Sequence, residues 1–366
     1  MTLTLVFIVI FVALVFTYTN GFHDTANSIA TVVGTKVLSP RHAIILAAVT
    51  NLVGAMVGGE VAKTIASGLV DANSVSTYTL LVALIGAIVW NLLTWYVGLP
   101  SSSSHALIGG LCGAALASAH GNWGVLIWSK PPLPGQHWWA GAGLLYKVVV
   151  PMIISPVCGF AIAYLVMGAL YYMLQGWRPT KVHRVFGRLQ LLSAAYMGFS
   201  HGTNDAQKTM GIIALALVGA TKAGVFSHLP AWLAFLQTTE AANPKDQHIA
   251  LWIKVLCALT MAGGTAAGGW RIIKTLGHKM VKLQPVHGFA AETAGATVLL
   301  VTAEMGMPVS TTHVVTTSIM GVGAAKSFSA LKLGVIERII WAWILTLPAT
   351  AGVAYLLMRA IQVLGF

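Results

Sequence analysis

Long apolar runs separated by short polar stretches dominate the chain, and their lengths match membrane-crossing helices, about 20 residues for a roughly 30 Å hydrocarbon core. Such runs fall near 2–34, 43–62, 79–97, 138–174, 189–220, 248–270, 288–306 and 334–362. Two shorter pieces, 101–119 and 308–325, begin directly after a Pro-Ser/Thr run and are rich in Gly, Ala, Ser and Thr. Each predicts the returning arm of a hairpin or a broken helix. The runs 2–34, 138–174, 189–220 and 334–362 exceed one span, which predicts interruption or strong tilt, with Pro151, Pro156 and Pro348 as candidate kinks. The first run lacks a basic stretch before it and continues into Gly21-Phe-His-Asp, so it reads as the first membrane helix rather than a leader.

Composition agrees with the pattern. Of 366 residues, 57% are hydrophobic and 8% charged, against roughly 25% charged in soluble domains. The chain reads as an all-α polytopic membrane protein with no soluble domain. A net charge of +12 would suggest a nucleic-acid partner in a soluble chain, but here the basic residues sort by loop and set orientation, so no nucleic acid is implied. Loops 35–42, 175–188, 271–287 and 326–338 carry more Lys and Arg than 63–78, 120–137 and 221–247, which places the first set in the cytoplasm and both termini outside. Cys112, Cys158 and Cys257 lie in apolar runs without paired spacing and read as packing residues, excluding a disulfide framework or zinc cluster.

Two aspartates stand out, because an ionised Asp at bilayer depth costs at least ~2.5–3.5 kcal/mol. Asp24 sits in Gly21-Phe-His-Asp-Thr-Ala-Asn27 and Asp205 in Gly202-Thr-Asn-Asp-Ala-Gln-Lys208. Each is followed by a second motif, Leu99-Pro-Ser-Ser-Ser-Ser-His105 after the first and Met307-Pro-Val-Ser-Thr-Thr-His313 after the second. The order predicts an internal duplication: a first repeat over 1–174, a basic cytoplasmic linker over 175–188 and a second repeat over 189–366. The loop charges make the two aspartate runs enter the bilayer in opposite senses. Inverted-topology repeats with broken helices and two re-entrant hairpins are the arrangement of secondary transporters. Glycines keep the register, Gly54 and Gly58-Gly59 aligning with Gly264 and Gly268-Gly269.

Asp24 has no basic residue within a helical turn, whereas Lys208 follows Asp205 by three positions. A duplicated aspartate among Asn, Thr and Gly predicts binding of a mobile proton or metal ion, with unwound backbone at Gly21 and Gly202 adding carbonyl oxygens suited to Na⁺. A Pro followed by Ser/Thr starts a helix whose first N–H groups and positive dipole end attract an oxyanion such as phosphate or sulfate. Ser102, Ser103, Ser104, Ser310, Thr311 and Thr312 are the candidate donors. His23 and His201, near the aspartates, are candidates for a proton relay; His105 and His313 are equally readable as packing groups. Glu292, inside an apolar run, reads as a functional acid, Glu304 as interfacial, and Lys147 and Lys254 as snorkelling side chains.

These four motifs, in this order, resemble the signatures of the inorganic phosphate transporter (Pit) family in its short bacterial form, from about residue 18 to 350. The resemblance implies an inverted-repeat transporter in the bacterial cytoplasmic membrane, often a homodimer, moving phosphate with H⁺ or Na⁺. It implies cation roles for Asp24, Asn27, Asn204 and Asp205 and phosphate roles for Ser102, Ser103, Ser310, Thr311 and Thr312. Sodium-coupled animal members have glutamates at the positions aligned with Asn51 and Leu80; here only Glu292 of the second repeat remains, and His23 replaces a common Asn. Proton coupling is therefore the first expectation. Sodium, with Asp24 and Asp205 as its ligands, is the second.

The resulting expectation is a symporter that imports inorganic phosphate by alternating access, with no resident cofactor, the divalent-metal complex of phosphate being another form the family carries. Rival readings are a sulfate permease of the same family, a passive anion channel, and an intramembrane serine hydrolase using His105 or His313. Duplication argues against the hydrolase, since a nucleophile and base need one site rather than two.

Overall fold

The computed structural model describes residues 2–71, 75–132, 134–227, 229–238 and 249–365. Lys245, counted above with the outer loops, lies outside them. Twelve α-helices follow in order: α1 (Leu3–Gly34), α2 (Pro40–Met56), α3 (Glu60–Ser67), α4 (Thr77–Val97), α5 (Ser103–Ser118), α6 (Val150–Leu174), α7 (Pro179–Lys222), α8 (Leu251–Ala267), α9 (Trp270–Lys274), α10 (Pro285–Glu304), α11 (Thr311–Lys326) and α12 (Leu333–Val363). Short 3-10 and π-helical turns and isolated β-bridges accompany them among the described residues. Among these residues five helices are long and apolar enough to cross a membrane, or up to seven spans if each of two bent pairs counts as one.

The helix contacts recur at a six-helix interval. α1 packs on α8 as α7 packs on α2; α4 on α5 as α10 on α11; α5 on α12 as α11 on α6; and α1 on α4 as α7 on α10. Each half therefore lends its first helix to the second helix of the other. Glycines make these crossings close: a Cβ on Gly21 would lie 2.6 Å from the Met261 carbonyl oxygen, and one on Gly202 only 2.3 Å from that of Asn51. The partner glycines behave alike, Gly264 against Tyr18 O at 2.2 Å and Gly54 against Phe199 O at 2.0 Å.

This packing corrects the expected position of the breaks. α1 and α7 run through Gly21 and Gly202 without unwinding, over 32 and 44 residues, so neither glycine frees carbonyl oxygens for a cation. Their glycines serve helix contact instead. The breaks lie one helix later, where α2 and α3 bend by 67° and the α8–α9 pair by 61°. Gly58, at φ +82°, and Gly268, at φ +73°, occupy the left-handed region there. Lys254, predicted to snorkel, donates instead to the Gly58 carbonyl at 2.8 Å, satisfying an oxygen the break exposes. The overlong 138–174 run begins with a π-helical turn at Leu145–Val149, just before Pro151, and Pro348 lies inside α12. Residues 179–188 of the basic 175–188 segment form the start of α7.

The hairpins form as expected. α4 ends at Gly98 (φ +70°) and α10 is followed by Gly306 (φ +64°), equivalent left-handed turns that reverse the chain into the Pro-Ser/Thr motifs. α5 and α11 have 16 residues each, about 24 Å at 1.5 Å per residue, too short to cross the hydrocarbon alone.

Candidate functional site

Two half-sites meet where the starts of α5 and α11 face the middles of α1 and α7. Both hairpin helices are capped as predicted: Ser102 Oγ accepts from His105 N (3.1 Å) and Ser310 Oγ from His313 N (3.2 Å). The cap oxygens are thereby used, and of the hydroxyls that follow them Ser103, Thr311 and Thr312 turn to the aspartates. Ser103 Oγ donates to Asp24 Oδ2 at 2.7 Å, and Thr311 Oγ1 to Asp205 Oδ2 at 3.2 Å. Thr312 Oγ1 crosses between halves to Asp24 Oδ1 at 3.3 Å. Ser104 Oγ donates to the Val309 carbonyl (2.9 Å) and accepts from the Lys208 ammonium, which also holds Asp205 Oδ1. Asn27 Nδ2 donates to Thr311 Oγ1 (3.2 Å) and Thr312 Oγ1 (2.9 Å).

Each aspartate also carries an imidazole. His23 Nδ1 lies 2.9 Å from Asp24 Oδ1, with its Nε2 3.1 Å from Thr94 Oγ1. His201 Nε2 lies 3.1 Å from Asp205 Oδ2, and its Nδ1 3.1 Å from Asn51 Oδ1. Both histidines are wholly buried, as are Asp205 and Lys208, with Asp24 2% exposed. Atoms of Asp24, His201 and Asp205 lie within 4.8 Å of one another, close enough to share one cation. Among the described residues the buried Asn27 Oδ1 has no hydrogen-bond partner, and neither side-chain atom of Asn204 has one. Such groups are costly unless water or a solute meets them.

Glu292 is not brought to this cluster. It lies buried between α1, α7 and α10, where Thr31 Oγ1 donates to it at 2.5 Å, Gln190 Nε2 at 3.0 Å, and Ser193 Oγ to its second oxygen. No lysine or arginine pairs with it among the described residues. Thr35 donates to Gln190 Oε1 at 2.8 Å and extends the network. Thr31, Gln190 and Ser193, like Thr94 beside His23, were missed in the sequence because isolated hydroxyls and amides in apolar runs carry no signal until a carboxylate is known to face them. Gln190 and Ser193 share a helix face three residues apart, the one clue available.

His105 and His313 stack edge to face at 4.8 Å between centroids, and His313 lies on Trp343 at 4.1 Å. They pack against each other rather than polarising a serine. Ser103 reaches a carboxylate directly, without an imidazole between, so no Ser-His-Asp relay is present among the described residues.

Compared with known proteins, residues 20–354 match the profile described as the phosphate transporter family. The chain belongs to that family. It is 39% identical over 98% of both chains to a Bacillus subtilis protein named a probable low-affinity inorganic phosphate transporter. A similarly named Rhizobium meliloti protein is 40% identical over 94% of this chain and 93% of its own. These relatives are named as transporters, not enzymes. A solved structure titled "The sodium-dependent phosphate transporter" superimposes with a TM-score of 0.79 at 23% identity, covering 99% of this chain and all of the other. That likeness is one of fold, and it agrees with an all-α membrane protein.

Proposed function

We propose that the chain imports inorganic phosphate across a bacterial cytoplasmic membrane by cation-coupled symport, with both termini on the outer side. The observation that carries this reading is the meeting of two helix starts, α5 and α11, with two buried aspartates, each bonded to a hydroxyl of a Pro-Ser/Thr motif. Helix N-termini supply N–H groups and a positive dipole end suited to a phosphate oxyanion. Ser102, Ser103, Ser104, Ser310, Thr311 and Thr312 form the phosphate-facing set. Asp24 and Asp205, with Asn27 and Asn204, hold the coupling cation.

The chemistry makes the two occupancies interdependent. An oxyanion placed between two carboxylates is repelled until positive charge arrives, so cation and phosphate favour each other, typically by ~1–3 kcal/mol in coupled sites. Hydroxyls now bonded to Asp24 and Asp205 turn toward the anion once a cation relieves the carboxylates. The duplicated halves then rock as inverted repeats, exposing the site to one side at a time.

The proton is the first candidate for coupling, supported by the direct contacts of His23 with Asp24 and of His201 with Asp205. A second reading, Na⁺, is favoured by the close grouping of Asp24, His201 and Asp205 oxygen and nitrogen atoms. Glu292 serves the cation at a separate station on its path, and the chain works as a homodimer.

Radiolabelled phosphate uptake into proteoliposomes, with proton and sodium gradients imposed separately and excess sulfate as competitor, tests the whole reading. Uptake on a proton gradient alone, indifferent to sulfate, is the expected result. Uptake requiring Na⁺ moves the two aspartates to sodium ligands, and competition by sulfate overturns the substrate assignment.

A further inference from the structure

The duplication that builds the site is broken at one chemically decisive position. Gly21 to Asn27 aligns residue by residue with Gly202 to Lys208, and Pro100 to His105 with Pro308 to His313. Under that alignment two pairs of bonds are mirrored. Ser103 donates to Asp24 as Thr311 does to Asp205, and Asn27 reaches Thr312 as Lys208 reaches Ser104. The single difference in charge is at the third position after each aspartate. A neutral amide stands there in the first half and an ammonium in the second.

That ammonium is fully buried and is bonded to Asp205 as well as to Ser104. Asp24, by contrast, is met by His23, Ser103 and Thr312, and no lysine or arginine pairs with it among the described residues. The two carboxylates are thus served unequally. Asp205 has a fixed positive charge at its side, and any mobile cation drawn to it would sit beside that charge and be repelled in a water-poor interior. Asp24 has an orphaned oxygen nearby, Asn27 Oδ1, and its charge awaits a partner.

We propose that Lys208 is a tethered counter-cation: it fills, on the Asp205 side, the place that a mobile coupling cation takes on the Asp24 side, and so sets how many cations accompany each phosphate. A tethered charge neutralises its carboxylate in every state of the cycle but cannot be released to the other face. The cation bound at Asp24 is then the one that travels. With an amide at both positions, the site would carry two unneutralised carboxylates and would need one more mobile cation before it could accept an oxyanion. The proposal rests on the phosphate–cation symport reading above.

The test measures binding of radiolabelled inorganic phosphate to purified full-length protein at constant ionic strength, with NaCl varied at fixed pH and pH varied at fixed NaCl, for the natural chain and for Lys208→Asn. By linkage, the slopes of log affinity against log sodium concentration and against log proton activity, the second corrected for phosphate's own titration, add to one summed slope that counts the cations taken up with phosphate. The natural chain is expected to show a summed slope no greater than one, and Lys208→Asn a summed slope greater by one. A summed slope of two in the natural chain overturns the proposal without reference to any variant. So does a folded, monodisperse Lys208→Asn with the natural slope and uniformly weaker affinity, which would make Lys208 a phosphate ligand instead. Should the asparagine variant fail to fold, the natural chain's slope decides alone, and Lys208→Arg, which keeps the charge, must reproduce that slope. Absence of phosphate binding by the natural chain at every sodium concentration would instead reject the underlying symport reading.

Discussion

Asp24 and Glu292 share burial and carboxylate chemistry but differ in surroundings, and their substitutions should differ in kind. Asp24 is held by two hydroxyls and an imidazole, all of which keep partners if its charge is removed. Asp24→Asn should therefore leave the protein folded and monodisperse while lowering gradient-driven phosphate uptake by about 5–150-fold, the range of a coupling energy of ~1–3 kcal/mol. Uptake unchanged by the substitution would be the behaviour of a passive channel. Glu292 accepts from Thr31, Gln190 and Ser193 at once. Glu292→Leu strands those donors in an apolar interior, at about 1–3 kcal/mol for each group left unsatisfied. It should lower the thermal midpoint in detergent clearly, whereas Glu292→Gln, which still accepts, should restore most of it. Equal midpoints for the two variants would show that the network carries no stability.

Close helix crossings and helix caps make separate predictions. At Gly202 a Cβ would sit 2.3 Å from a backbone carbonyl of α2, which no rotamer change can relieve. Gly202→Val must push α7 from α2, an overpacking cost of ~1–3 kcal/mol or more, and should appear as aggregated protein on size exclusion. Gly219, which has open space around it, is the control: Gly219→Ala in the same helix should elute as the natural chain does. At the hairpins, Ser102 and Ser310 each cap a helix aimed at the site. Ser102→Ala loses a cap worth about 0.5–2 kcal/mol and loosens the first turn of α5, so the phosphate concentration at half-maximal uptake should rise, with Ser310→Ala acting alike if the halves contribute equally.

For the whole molecule, the proposed orientation rests on the bias of Lys and Arg among the loops. Lys130, in a loop, and Lys181, in the first turn of α7, are both exposed and lie in segments whose Lys and Arg content places them on opposite faces. In a chain with Cys112, Cys158 and Cys257 replaced by alanine, Lys130→Cys should react with an impermeant maleimide in intact cells, and Lys181→Cys only after permeabilisation. The reverse pattern would invert the assignment while leaving the fold untouched. The six-helix periodicity of the packing has a further consequence at this scale. Because α1 pairs with α8 and α7 with α2, neither half has its own complete interior, and the halves expressed separately should not fold independently.

Much of this protein is legible along the chain because a bilayer forces local solutions. Backbone groups without water must bond within their own helix, so apolar length alone yields the type of the elements, while their number was not legible: the 43–62 run holds most of α2 and the start of α3, and the 248–270 run holds α8. Both hairpins, the caps at Ser102 and Ser310 and the two buried aspartates were readable for a related reason, since each is a short contiguous pattern. What the chain order could not reveal was which residues meet across it. The sequence placed the breaks at Gly21 and Gly202, yet those glycines are spent on contacts with α8 and α2, and the bends fall at Gly58 and Gly268, because a glycine's role is set by what approaches it. Thr31, Gln190, Ser193 and Thr94 became recognisable only when folding set them against Glu292 and His23. The same holds for Lys208: the motifs already set it opposite a neutral amide, Asn27, but only the folded chain shows its ammonium bonded to Ser104 as Asn27 is to Thr312.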